Sequence, residues 1–231
     1  MHGAALALRT ALALAYPFLA HAANARDDSV LAAVALGDLV AILLLGPLLR
    51  LKGWAWACLA ALIPGLVALA QAPWATLPLL APPVVFVGLV AWLFARTLRS
   101  GRVPLVTRMA AAVHDCPVAE LEPDLAAYTR RLTGFWAALL GALCLVNLAL
   151  ALFAAPEGLL AQLGHATPLP VMDARGSLFA NLLIHGVVAA CFIGEFAWRQ
   201  HRFPDQPYRN LPGFLGKLLA LGPGFWRSLV H

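Results

Sequence analysis

Apolar residues come in six runs of membrane-spanning length, set apart by short polar intervals and by one long one. The runs cover roughly residues 4–23, 30–49, 53–70, 77–95, 132–155 and 178–198, each close to the ~20 helical residues that a hydrocarbon core requires. This pattern predicts an all-α, polytopic membrane protein, a single transmembrane domain over 1–231 with six transmembrane helices. Two polar segments remain, 96–131 and the tail 199–231. In the first, Val103-Pro104 suits a helix start, and Leu105, Met109, Val113 and Cys116 then recur at helical spacing while Arg108 and Asp115 point elsewhere. A second start falls at Glu122-Pro123, where Glu120, Glu122 and Asp124 favour the positive end of a helix. Leu125, Tyr128 and Leu132 share a face that runs on into the fifth span. In the tail, Phe214, Leu218 and Leu221 share another, followed by Phe225, Trp226 and Leu229 with Lys217 and Arg227 between them. Both segments are expected to hold amphipathic helices lying at the membrane surface.

Composition agrees with lipid as the solvent. The chain has 62% hydrophobic and 12% charged residues, where soluble proteins average about 25% charged. Basic residues mark the cytoplasmic side of a membrane protein. With six spans and both termini inside, fourteen of the sixteen Lys and Arg are cytoplasmic, and Arg26 and Arg175 alone lie outside. Segment 96–131 is then the main cytoplasmic loop. The first run also has the form of a signal peptide, with Ala20-His21-Ala22 as an A-x-A site; its removal would leave the orientation of the later spans unchanged. Pro17, Pro47, Pro64, Pro82 and Pro83 fall in the first four runs and predict bends there, whereas the last two runs contain none.

Candidate chemistry is sparse. Cys58, Cys116, Cys144 and Cys191 lie far apart without zinc spacing, so they are read as reduced packing residues and no metal is expected. There is no P-loop at Gly213-Phe214-Leu215-Gly216-Lys217 and no G-x-S-x-G. The His201 to Asp205 spacing is one residue short of the acyltransferase pairing and carries a proline. No cofactor and no catalytic residue are expected, and no nucleic-acid partner. Ionisable groups inside spans are costly and therefore functional candidates. Asp38 sits midway through the second span. Asn181, His185, Phe192, Glu195 and Arg199 stay close to one stripe of the sixth, either as the wall of a pocket or path, or as interhelical hydrogen bonds with Glu195 paired to Arg199 at i+4. The arginines are more suggestive. Arg96, Arg99, Arg102 and Arg108 surround the first loop helix, and Arg130 and Arg131 close the loop beside Tyr128 and Trp136. Guanidinium forks bind phosphate and carboxylate, so this face is a candidate dock for membrane lipids or for an acyl-bearing carrier; simple topology would make it basic as well.

At these same residues the chain resembles a family of small bacterial inner-membrane proteins. The likeness is carried by Tyr16-Pro17, by Phe94-Ala95-Arg96-Thr97-Leu98, and by Gly101-Arg102-Val103-Pro104-Leu105-Val106-Thr107-Arg108. It continues in Tyr128-Thr129-Arg130-Arg131-Leu132-Thr133 with Trp136, then Asn181, Glu195-Phe196 and Phe203-Pro204. Members lie beside genes for acyl carrier proteins, acyl ligases, ketosynthases and acyltransferases, in clusters of the aryl polyene or xanthomonadin type, and some are labelled "ketosynthase". The resemblance implies a multi-pass inner-membrane accessory protein of a fatty-acid-like pathway, with an acyl carrier protein or acyl ligase as partner. It transfers no catalytic residue. Two other classes stay open: a transporter or flippase of a lipid-like product using Asp38, His185 and Glu195, and a membrane-integral acyltransferase.

Overall fold

The computed structural model describes the chain except residues 1, 27, 73–74, 156–157, 167–173, 205–206, 223 and 226–231; for 2–6, 25, 174–182 and 184 it describes the backbone alone. Among the described residues the protein is all-helical. Four segments are long and apolar enough to cross a membrane: Ser29–Leu49, Gly53–Ala70, Leu77–Thr97 and Pro123–Phe153. They expose large apolar side chains such as Leu43, Trp54, Ile63, Phe86 and Leu145, a surface that water would not tolerate as a contiguous patch. The protein is a membrane protein with several apolar helices. The first and sixth expected spans lie in two further long helices, His2–Arg26 and Ala174–Arg202.

The chain divides into two compact units, residues 1–83 with 151–169, and residues 84–150 with 170–231. In the first unit, α1 (His2–Arg26), α2 (Ser29–Leu49) and α3 (Gly53–Ala70) follow one another through tight turns. Asp28 caps α2, its carboxylate accepting from the N–H groups of Val30 and Leu31, which satisfies donors that the first helical turn leaves open. The seam around Ala23, Ala32, Ala35 and Ala75 is built of alanine; such small side chains let helix backbones approach closely. Ser29 Oγ donates to Ala70 O at 2.6 Å, joining the start of α2 to the end of α3. A four-residue helix, α7 (Leu159–Gln162), also belongs to this unit.

Pro17, Pro47 and Pro64 lie inside helices as expected, but Pro82 and Pro83 do not interrupt one. A 3-10 turn at Leu77–Leu80 precedes α4 (Ala81–Thr97), so the two prolines occupy its first turn. There no intrahelical N–H bond is lost, and no bend need follow.

The second unit holds α4, α5 (Leu105–Val113), α6 (Pro123–Phe153), α8 (Ala174–Arg202) and α9 (Leu211–Ala220). Pro123 opens α6, with Asp124 in its first turn, as its sequence predicts. The loop 98–122 carries α5, and both ends of that helix are capped. Pro104 precedes α5, and the open N–H of Leu105 donates to Thr97 Oγ1 at 3.0 Å while that of Val106 donates to Thr133 Oγ1 at 3.2 Å. Thr129 spends its proton on Ala126 O, so Thr107 is the donor in the 2.9 Å bond between their hydroxyls. Threonines from α4 and α6 thus do for α5 what a capping residue would do. At the other end Cys116 N donates to Ala111 O and Asp115 N to Ala112 O, with Asp115 left-handed at φ 53°. This is a Schellman stop in which aspartate takes the usual glycine place.

The apolar faces of α5 and α9 are turned into the protein. Val113, Phe196, Tyr208, Phe214 and Leu218 form one buried cluster, with Met109 and Leu221 against it; Leu121, Leu125 and Phe203 form another, with Cys116 and Tyr128 against it. Each such side chain is worth about 1.5–3 kcal/mol when buried from water. The faces expected at the membrane surface are therefore spent on internal packing; Leu215 and Leu219, each one position on from Phe214 and Leu218 and so about 100° around α9, are exposed. Of the tail's aromatic continuation, Trp226, Arg227 and Leu229 lie outside the described residues.

Candidate functional site

Within the second unit α4, α6 and α8 leave a cavity of about 690 Å³, within the range of ligand pockets. Its walls are apolar for most of their length, with Phe86, Val90, Trp136, Leu140, Leu143 and Phe192 among them. On α6 the lining runs from Leu125 to Leu143 and on α8 from His185 to Arg199. These stretches correspond to ~27 Å and ~21 Å at 1.5 Å per helical residue, each longer than the ~15 Å of one hydrocarbon leaflet.

Polar groups gather at one end. Glu195 accepts a 2.8 Å hydrogen bond from the Tyr128 hydroxyl. Arg199 Nε lies 2.8 Å from the same Oε1 atom, but its N–H is not aimed at the oxygen, so this is a charge contact and not a directed hydrogen bond. Arg199 Nη1 donates to Tyr208 Oη at 2.6 Å. The guanidinium also stands over three rings, at 4.7 Å from the centroid of Phe214 and 5.6 Å from those of Phe196 and Tyr208. A cation so desolvated gains from the ring faces and would be costly without the carboxylate beside it. Burial pushes the Tyr208 phenol above its ordinary range although Arg199 pulls the other way; it stays a neutral acceptor. The end of the cavity is therefore polar yet balanced, one carboxylate against one guanidinium. His114, at the C-cap of α5, completes the rim.

The stripe read from the sixth apolar run is brought together here. His185, Phe192, Glu195 and Arg199 all line the cavity, and the i+4 pairing of Glu195 with Arg199 is present; the Asn181 side chain lies outside the described residues. The arginine face divides. Arg99, Arg102, Arg130 and Arg131 are exposed, with Arg130 Nη2 3.4 Å from Leu98 O. Arg96 and Arg108 are half-buried, Arg96 lying 4.8 Å over the Trp92 ring. Asp38 belongs to the first unit, buried on α2 within electrostatic range of Tyr16, and neither carboxylate oxygen has a hydrogen-bond partner among the described residues. The sequence reading missed Tyr208 and the four threonines. Thr129 and Thr133 stand one turn apart on α6, an i, i+4 pair of small polar residues facing inward, and that spacing was the available signal. Asp205 of the His201 pairing lies outside the described residues, and among the described residues no group of three metal-ligating side chains occurs. No family model, curated protein or solved structure matches the chain.

Proposed function

We propose that the protein holds an elongated, lipid-like molecule such as an acyl chain in the cavity of its second unit, with the molecule's polar end at Glu195, Arg199 and Tyr208. The observation that carries this is the cavity itself, walled by apolar side chains along the ~15 Å of α8 between His185 and Glu195 and bounded at one end by a neutralised ion pair. An amphipathic chain matches both parts. A wholly polar solute would leave the apolar walls unused, and a pure hydrocarbon would strand the polar end.

In this reading the chain crosses a bacterial inner membrane six times, α1 and α8 being the spans added to the four most apolar segments. Both termini face the cytoplasm, with the exposed Arg99, Arg102 and Arg130 presented there. The protein acts as an accessory to a fatty-acid-like pathway of the aryl polyene type, accepting acyl intermediates from a carrier protein docked on those arginines. Support comes from the motif resemblance and from the exposure of Arg99, Arg102 and Arg130, the last of them next in sequence to Thr129 of the cavity wall.

The test is to purify the protein in mild detergent, extract it, and identify retained chains by mass spectrometry. Ala189→Trp, which fills the cavity from α8, is expected to reduce retention at least tenfold; unchanged retention in a folded A189W protein overturns the reading. Charge reversal at Arg102 and Arg130 is expected to abolish co-purification of an acyl carrier protein without affecting retention.

Asp38 favours a second reading, export of a lipid-like product. A carboxylate unpartnered within a candidate span is the kind of group that marks ion-coupled pathways. If D38N abolished product export while carrier co-purification persisted, the transport reading would replace the accessory one.

A further inference from the structure

A second concavity lies on the other side of Glu195. It is an open groove of about 480 Å³ between α6 and α8, lined by Tyr128, Arg131 and Phe135 on one helix and by Cys191, Gly194 and Trp198 on the other. Leu132 and Glu195 line both the groove and the interior cavity, and so form a wall between them. The groove positions step by three or four residues on each helix, as one face requires. One of its ends is polar and aromatic, where the Tyr128 and Trp198 rings stand 5.0 Å apart and Arg131 is exposed. Seven residues along each helix, ~10 Å at helical rise, the other end is apolar.

Two features make it a seat for a chain with a charged head. A side-chain carbon at Gly194 would meet nothing within 4 Å, so the floor is open where an alkyl chain would lie. Among the described residues Glu195 is the one anion that lines the groove, and it is already balanced by Arg199 behind it, whereas Arg131 forms no ion pair or hydrogen bond among them. The charge left at the mouth is positive. Tyr and Trp settle at the headgroup level of a bilayer, and a guanidinium fork grips phosphate bidentately.

We infer that this groove binds one anionic phospholipid of the surrounding bilayer, its phosphate on Arg131, its glycerol beside Tyr128 and Trp198, and one acyl chain over Gly194 towards Phe135 and Cys191. The site is separate from the interior cavity and depends on membrane embedding alone, not on which molecule the cavity holds.

The full-length protein in detergent micelles, titrated with phosphatidylglycerol or phosphatidylcholine of identical chains and read by native mass spectrometry, tests this. One phosphatidylglycerol is expected to be retained about tenfold over phosphatidylcholine. R131Q should bring the two lipids to parity. G194L, which has room to fold, should remove both while any ligand of the interior cavity persists in the same spectra. Millimolar inorganic phosphate should not displace the lipid. The inference is overturned if R131Q keeps the preference, if G194L still binds, if R99Q/R102Q abolishes the preference instead, or if inorganic phosphate competes. Loss of the interior ligand with the groove lipid intact would count against the proposed function alone.

Discussion

Asp38 in the first unit and Glu195 in the second are both acidic residues on apolar helices, and their surroundings are opposites. Around Glu195 the sequence provides a phenol, a guanidinium and, through that guanidinium, a second phenol and the rings of Phe196 and Phe214. The unit that holds Asp38 has a core dominated by alanines, and among the described residues no hydrogen bond reaches its oxygens. A paired buried charge is costly to break but adds little over an apolar substitute. An unpaired one is a standing cost. The first kind shapes a site; the second calls for a reason outside the folded helices themselves.

The sharpest way to break this contrast is Arg199→Met. It leaves Glu195 buried without its cation, and apparent stability in mixed micelles, followed by circular dichroism, is expected to fall by about 3–5 kcal/mol. The double variant Glu195→Leu with Arg199→Met should recover most of that loss; equal losses in both would mean that the arginine acts only through packing. Phe214→Ala removes the nearest ring and a core side chain together, for about 3 kcal/mol, whereas Leu219→Ala on the exposed face should change thermal stability hardly at all. Tyr128→Phe, at a part-buried hydrogen bond to a charged group, is expected to cost about 1.5 kcal/mol. Asp38→Leu should run the other way and raise the thermal midpoint by the equivalent of about 1 kcal/mol, the lower end of the cost of an unsatisfied buried group. A fall there would show that the carboxylate finds a partner in the membrane, and the contrast between the two acids would close.

The sequence reading reached as far as local pattern reaches. Apolar run length identified the four most apolar spans between Ser29 and Phe153, because burial in lipid demands little beyond length. Pro123 with its acidic neighbours marked the start of α6, and helical spacing put Glu195 beside Arg199. What local pattern lacks is the identity of a partner. Leu105, Val113, Phe214 and Leu218 form stripes that look the same whether a bilayer or another helix covers them, and here another helix does. Tyr208 was invisible because its role depends on a bond to Arg199, nine residues back, at a spacing that no helical face provides. The threonine caps were hidden for a related reason: Thr97 and Thr133 serve donors eight and 27 residues away, and nothing at either position announces the destination.

One feature of the second unit bears on how its cavity can change. Cys144 Sγ donates to Val84 O at 3.4 Å, and a side-chain carbon at Gly88 would meet that sulfur at 3.2 Å. At the opposite end Leu98 lies against Gly134 and accepts from Arg130. α4 and α6 are thus tied near both extremities, like the two limbs of a strung bow. A thicker guest is then expected to displace α8 and α9 more than α4 and α6, and spin labels on the two pairs of helices would register the difference on filling.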